Sequence, residues 1–61
     1  MREKLKAARK AAGLTRKQVA EHLGISERYY GYIENGDRSG DFEIWDMLED
    51  LFKVHQKVLR S

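Results

Sequence analysis

A chain of 61 residues is long enough for one small domain, and the lack of cysteine excludes disulfide bonds and cysteine-based zinc sites as sources of stability. Its 36% charged and 41% hydrophobic residues are typical of a globular rather than a disordered chain. Residues 1–17 carry seven cations and one anion, a net charge of +6, while residues 39–61 carry three cations and five anions, a net charge of −2. The basic N-terminal part is therefore either a polyanion-binding surface or a solvated helix face.

The first predicted helix covers residues 2–12, where the strong helix formers Ala, Lys, Arg, Glu and Leu dominate. Leu5, Ala8 and Ala12 fall on one face, which we expect to pack on the rest of the domain. Gly13 comes next as a natural stop.

The next two predicted helices are joined by a short turn at Gly24. Thr15 and Gln18 have the spacing of a capping box, which starts the second helix. Ser26 caps the third, residues 27–35. The inward positions of both helices are apolar or aromatic: Val19, Ala20, Leu23, Ile25, Tyr30 and Ile33. Two helices of about eight residues with a glycine-containing turn between them are typical of a helix-turn-helix.

A fourth helix is predicted over about 41–52, with Asp41 as its N-cap. One apolar stripe is expected to face the core: Phe42, Trp45, Leu48 and Phe52. The second stripe is a possible dimer interface, because a helix that is apolar on two sides needs a second surface, in addition to the core, to cover it. It contains Ile44, Met47, Leu51, Val54 and Val58. The tail from Lys53 is either a fifth short helix or a continuation of the fourth. No strand pattern occurs, so we expect an all-α fold, a bundle of about five short helices.

Four segments carry a family resemblance: LKAAR (5–9), GLT (13–15), VAEHLGIS (19–26) and YIENG (32–36). With them the chain resembles the phage-repressor-like, Xre/Cro/CI-type helix-turn-helix proteins over about residues 3–54. The resemblance implies a single domain, residues 1–61, that binds double-stranded DNA and regulates transcription. It also implies a homodimer on a palindromic operator.

The resemblance makes residues 27–35 the recognition helix in the DNA major groove. Candidates for contact with base edges are Glu27, Arg28, Gly31 and Tyr32. Candidates for contact with phosphates are Arg16, Lys17, Gln18, Tyr29, Asn35 and Arg38. Arg28 can bond guanine O6 and N7 with two N–H groups, and Glu27 either accepts from a cytosine amino group or repels phosphate to enforce register. Tyr29 either packs under the helix or offers its hydroxyl to phosphate.

The resemblance also implies a structural ion pair between Arg9 and Glu34, joining the first helix to the end of the third. Four residues depart from the family pattern. Gly31 replaces a longer outward side chain, which costs about 1 kcal/mol in a helix interior and would let the backbone approach DNA closely. Tyr30 fills a slot that usually holds Ile or Val, so its hydroxyl must find a partner. Lys53 replaces the glycine that commonly ends the fourth helix and would allow that helix to continue. Glu49 replaces a small residue near the core.

Nothing in the chain indicates an enzyme, a cofactor or a metal site: His22 and His55 have no ligand partners at metal-site spacing, and no histidine is placed to activate Ser26. No signal-peptide pattern or long apolar run occurs, so we expect a cytoplasmic protein with no membrane partner. The leading hypothesis is a repressor that acts by occupying its operator. The alternative is an antitoxin or another protein-interaction module that binds a protein partner through the second apolar stripe.

Overall fold

Five helices account for most of the chain in the computed structural model, which describes residues 1–61. They are α1 (Glu3–Ala11), α2 (Arg16–Leu23), α3 (Glu27–Asn35), α4 (Phe42–Phe52) and α5 (Gln56–Leu59). They pack into a body of 23 × 22 × 20 Å that contains no strand. The predicted all-α class and five-helix architecture are therefore confirmed. None of the helices combines the length and the apolar character that crossing a membrane requires.

Side-chain caps fix where α2, α3 and α4 begin. At the start of α2, Thr15 Oγ1 accepts from the Gln18 N–H at 3.1 Å, and Gln18 Oε1 accepts from the Thr15 N–H at 2.8 Å. The Ser26 hydroxyl accepts from the third residue of α3 at 3.0 Å. The Asp41 carboxylate caps α4 in the same way at 2.9 Å. Each cap satisfies a backbone N–H that has no partner within its own helix, so the short polar residues set the helix boundaries.

The turn between α2 and α3 depends on Gly24, whose φ of 73° and ψ of 29° lie in the left-handed region. With this conformation the Gly24 N–H bonds Glu21 O at 3.3 Å and the Ile25 N–H bonds Ala20 O at 3.0 Å. This pair of bonds is a Schellman motif, which closes α2 and redirects the chain. A side chain in this conformation would cost about 1–2 kcal/mol, so glycine suits the position.

All five helices contribute to one apolar core. Its ten buried members are Leu5, Val19, Ala20, Leu23, Tyr30, Ile33, Ile44, Trp45, Leu48 and Leu59. Those from α2 and α3 match the predicted inward positions, and Ile25 packs partly buried against them. The wedge between α2 and α3 that sets the angle of the helix-turn-helix is therefore a continuous part of the core.

Three predicted burial positions are wrong. Ala12 is exposed because it lies beyond the last residue of α1, where the helical face has ended. Phe42 is 79% exposed because it is the first residue of α4, directly after the cap and at the edge of the packed surface. Ile44, predicted for the outer stripe, is only 6% exposed and belongs to the core. The core-facing side of α4 is formed by Ile44, Trp45 and Leu48 rather than by a stripe that begins at Phe42.

The C-terminal tail forms a separate fifth helix, so continuation of α4 is excluded. The break occurs at Lys53, which takes a left-handed conformation (φ 58°, ψ 34°) and donates its N–H to Glu49 O at 2.8 Å. The Gln56 side-chain amide then donates to Asp46 Oδ1 at 2.7 Å and to Glu49 Oε1 at 3.1 Å. Glu49 thus joins α5 to α4, and the only buried residue of α5 is Leu59.

Candidate nucleic-acid interface

The start of α2 and the exposed face of α3 together form a shallow surface concavity. Its lining consists of Arg16, Glu27, Arg28, Gly31, Tyr32 and Asn35. All six were predicted from the family resemblance as DNA-contacting residues, and the fold brings them onto one surface. The turn at Gly24 is responsible, because it sets the first turn of α2 beside α3.

The four remaining phosphate candidates lie outside this lining. Lys17 and Gln18 are exposed in the first turn of α2, and Arg38 is exposed in the segment after α3. The Gln18 carbonyl oxygen is occupied by the capping box, so only its amide nitrogen is free to donate to a phosphate. Tyr29 is half-buried against the core, which favours the packing alternative for its ring.

Arg28 and Tyr32 form a pair on the exposed face of α3. The Arg28 Nε donates to the Tyr32 hydroxyl at 3.0 Å, and the guanidinium lies over the Tyr32 ring at 5.9 Å from its centre. Residues four apart lie on the same face of a helix, so the pair forms within α3 itself. The contact uses Nε and leaves the two terminal nitrogens of Arg28 free, which are the atoms that can bond guanine O6 and N7.

Beneath this surface lies Glu34, the only buried charged residue, with no exposed area. Its Oε2 accepts from Arg9 Nε at 2.9 Å and from the Tyr30 hydroxyl at 2.8 Å. Its Oε1 accepts from Arg9 Nη2 at 3.1 Å and from Arg16 Nε at 3.2 Å. The structure thus contains the ion pair predicted for Arg9 and Glu34, and it supplies the partner that the Tyr30 hydroxyl requires.

The contacts of the Glu34 carboxylate shift the pKa values of Glu34, Arg9 and Tyr30. Burial alone would raise the pKa of Glu34, but hydrogen bonds from Arg9 and Tyr30 and the charges of Arg9 and Arg16 outweigh it and hold that pKa below its usual value. The hydrogen bond to Glu34 raises the pKa of Arg9. Burial, followed by the hydrogen bond to Glu34, raises the pKa of Tyr30 well above that of a free phenol. At neutral pH the cluster is therefore two cations, one anion and a neutral tyrosine.

Arg16 connects the buried carboxylate to the surface concavity. Besides its bond to Glu34, its Nη2 donates to Asn35 Oδ1 at 3.2 Å, and its side chain is 34% exposed. The guanidinium crosses α3 at Gly31, where a Cβ atom would lie 3.6 Å from Arg16 Nη1. Sequence reasoning assigned Arg16 to phosphate alone and missed both of these intramolecular partners.

A model of the helix-turn-helix family matches residues 5–55, most of the chain. The chain belongs to the Xre/Cro/CI-type helix-turn-helix family. No curated protein and no solved structure matches it. Membership makes the chain a DNA-binding domain of a family that regulates transcription and is typically not enzymatic.

One residue that supports α3 carries no signal in the sequence. The Arg2 N–H donates to Glu34 O at 2.8 Å, and its guanidinium donates to the carbonyls of Ile33 and Arg38. It also donates from Nε to Arg60 O at 3.3 Å. The bonds to Glu34 O and Ile33 O lie in the last turn of α3, where the carbonyls have no partner within the helix. In the sequence, Arg2 is only one of several cations near the N-terminus, so nothing local distinguishes it.

The five residues proposed for a dimer interface do not form one exposed stripe. Met47 and Val58 are 36% and 42% exposed, whereas Leu51 and Val54 are partly buried against the core. Ile44 is a core residue, which removes it from any interface. A groove between α2 and α4 includes two of them and is lined by His22, Leu23, Met47, Asp50 and Leu51.

Proposed function

We propose that the protein is a sequence-specific repressor that binds double-stranded DNA in the cytoplasm, as a homodimer on a palindromic operator. The observation that supports this most directly is the concavity at α3, whose lining contains both Arg28, with free terminal nitrogens for a base edge, and Arg16, the phosphate candidate at the start of α2. In this role α3 enters the major groove and α2 lies across the backbone. The protein represses by occupying the operator and blocking polymerase.

The side chains of the interface divide into two groups by what they contact. Arg28 bonds a guanine edge, and Tyr32 holds the Arg28 guanidinium while its ring faces the groove. Glu27 either accepts from a cytosine amino group or enforces register by repelling phosphate. The backbone at Gly31, which carries no side chain, approaches the base pairs closely. The phosphate contacts come from Arg16, Lys17, Gln18, Asn35 and Arg38.

Dimerisation supplies the second recognition helix that specific binding needs, because one short helix buries too little surface for tight binding. The apolar side chains of the C-terminal helices that remain available for this contact are Met47 and Val58, which are exposed, and Leu51 and Val54, which are partly buried. Replacing both exposed residues with aspartate should leave the fold intact, because neither is in the core. We expect the double variant to be monomeric in sedimentation experiments and to bind a half-site only weakly.

The direct test of function is selection of bound duplexes from a random DNA library at two salt concentrations. We expect an enriched inverted repeat with half-site centres about 10 bp apart. Binding that fades with salt and enriches no motif would contradict sequence-specific recognition and leave only electrostatic attraction.

Arg28→Ala tests how the selected sequence is recognised. It should relax the preference at one base position, a loss of about 1–3 kcal/mol of discrimination, while binding to random DNA is retained. Arg38→Ala is the matched control, since loss of a phosphate contact should weaken binding to all sequences equally. Equal losses on the selected and random duplexes for Arg28→Ala would remove it from the base-reading group.

A second candidate function is binding of another protein, as an antitoxin or a related interaction module. The groove between α2 and α4 favours it, because Leu23, Met47 and Leu51 present an apolar lining with Asp50 at hand for a cationic side chain. This function would be favoured over repression if the purified protein stays monomeric, selects no DNA motif and retains a co-expressed protein partner.

A further inference from the structure

The network around Glu34 has one cation more than burial of its charge requires. Arg9 binds both carboxylate oxygens, and the Tyr30 hydroxyl adds a third hydrogen bond. A buried carboxylate is stabilised when it is paired with a cation and its lone pairs are satisfied. Arg9 alone balances the charge, and Arg9 and Tyr30 together fill three of about four lone-pair sites. Arg16 adds a second positive charge to the same carboxylate, so the three charged groups carry a net charge of +1.

The contacts of Arg16 hold its guanidinium in one place. Its Nε is bound to Glu34 and its Nη2 to Asn35, while the missing side chain of Gly31 leaves room for the guanidinium to lie across α3. Its Nη1 makes no intramolecular hydrogen bond, and Arg16 belongs to the lining of the concavity. An arginine loses less conformational freedom on binding when it is already held in position, so affinity gained from its contact is larger.

We propose that Glu34 is a positioning residue for DNA binding, which together with Asn35 holds the Arg16 guanidinium against α3 so that its free nitrogen meets a DNA phosphate. The inference rests on the proposed function and extends it to a residue with no exposed surface. Glu34 then has two roles that separate physically. Its bond to Arg9 stabilises the fold, and its bond to Arg16 orders the interface.

The sign of one mutational effect distinguishes positioning from bulk electrostatics. Glu34→Gln keeps the shape of the side chain and removes a negative charge beside the DNA, so electrostatic attraction alone would make binding tighter. Positioning predicts weaker binding to the selected duplex, by about tenfold, for loss of one charge-assisted hydrogen bond. The slope of log K against log salt should also fall by about 0.9, the value for one lost phosphate contact.

A double-mutant cycle with Arg16→Ala shows whether the effect passes through Arg16. If Glu34 acts by positioning, Glu34→Gln should cause no further loss of affinity when Arg16 is already alanine. An equal loss in both backgrounds would mean that Glu34 is merely structural, and unchanged or tighter binding by Glu34→Gln alone would also overturn the proposal. Circular dichroism at the binding temperature establishes that every variant compared is folded.

Arg9→Lys is the matched control, because it perturbs the same carboxylate without a direct contact to Arg16. We expect it to lower the melting temperature and to leave the salt slope unchanged. Arg16→Lys provides a test that does not depend on Glu34→Gln folding. It retains the charge but lacks the fork needed to contact Glu34, Asn35 and phosphate together. Affinity and salt slope should therefore fall, and wild-type values for both would refute positioning.

Failure of the repressor function and failure of the positioning role give different results. If the unmodified protein selects no duplex, the proposed function is wrong before any variant is made. If it selects an operator and Glu34→Gln binds that operator as tightly as the unmodified protein does, only the role of Glu34 is wrong.

Discussion

The joint between α2 and α3 and the joint between α4 and α5 have similar backbone geometry and unlike sequences. Each turns at one residue in the left-handed region, Gly24 with φ 73° and Lys53 with φ 58°. At Gly24 that conformation has no steric cost, whereas at Lys53 it costs about 1–2 kcal/mol. The first joint is therefore encoded locally, and the second is imposed by the packing of α5 against the rest of the domain.

The two joints also differ in the contacts that hold the second helix in place. α3 is fixed by the buried Glu34 network and by two core residues, Tyr30 and Ile33. α5 is fixed by one buried residue, Leu59, and by the Gln56 side chain on Asp46 and Glu49. At its end, Arg60 O accepts from Arg2 Nε and the Arg60 guanidinium lies over Trp45. Loss of one member of the charged network leaves a buried polar or charged group without that partner, whereas the few contacts of α5 can be lost with only that helix. Mutations at the two joints test that difference, in order of decreasing effect.

Arg9→Ala should destabilise the whole domain by about 3–5 kcal/mol, because it leaves the buried Glu34 carboxylate without its main partner. Urea unfolding followed by circular dichroism measures the effect. Lys10→Ala, an exposed neighbour on α1, should change stability by less than about 0.5 kcal/mol. A loss below about 1 kcal/mol for Arg9→Ala would show that Arg16 and Tyr30 suffice to stabilise the charge.

Leu59→Ala should cost about 2–3 kcal/mol, at the low end for a buried leucine because α5 can detach instead of leaving a cavity. Amide hydrogen exchange should show lost protection for residues 56–60 while protection in α2 and α3 persists. Lys57→Ala, at an exposed position of the same helix and outside the proposed dimer contact, is the control and should have little effect. If Leu59→Ala instead removed protection from α2 and α3 together with α5, the two joints would not differ in how locally they unfold.

Alkaline pH should weaken the α3 network through Tyr30. Its folded-state pKa is raised above the unfolded value of about 10, so the stability it contributes is complete below about pH 10 and is lost as the pH rises towards the folded pKa. The loss is up to about 1.4 kcal/mol per pH unit. The free energy of unfolding of Tyr30→Phe, which cannot ionise, should fall less steeply above about pH 10. Parallel curves for the two proteins would argue against a buried neutral hydroxyl.

Lys53→Gly should stabilise the protein by up to about 1 kcal/mol, since it removes the left-handed strain but increases the freedom of the unfolded chain. Gly24→Ala should have the opposite sign and cost about 1–2 kcal/mol. Melting temperatures of the two variants measure both effects. Destabilisation by Lys53→Gly would mean that contacts of the lysine side chain outweigh its backbone strain.

The parts of the fold that could be predicted from sequence are those determined by neighbours in the chain. The caps at Thr15, Ser26 and Asp41 and the stop at Gly24 each act within a few residues, and all four predictions are confirmed. The break at Lys53 depends instead on the burial of Leu59, which only the tertiary structure determines.

The candidate site likewise divides into features that could be predicted from sequence and features that could not. The resemblance to the family indicated the residues of the concavity, because they belong to one short motif of helix, turn and helix. It did not reveal that Arg16 is bound to Glu34 and Asn35, since that contact joins the start of α2 to the end of α3, 18 and 19 residues away in the sequence. The role of Arg2 could not be predicted for the same reason, because its side-chain partners lie 31 to 58 residues away in the sequence.

The bonds of Arg2 have a practical consequence, because they bring both ends of the chain to one aromatic ring. Trp45, the only tryptophan, is buried and donates from Nε1 to Ser39 O at 2.7 Å. The guanidinium groups of Arg2 and Arg60 lie 5.1 and 5.8 Å from the centre of its ring. Release of either terminus removes a cation from the indole and admits water. The intrinsic fluorescence of this protein is therefore an optical reporter of the segments that carry Arg2 and Arg60, obtained without any added label.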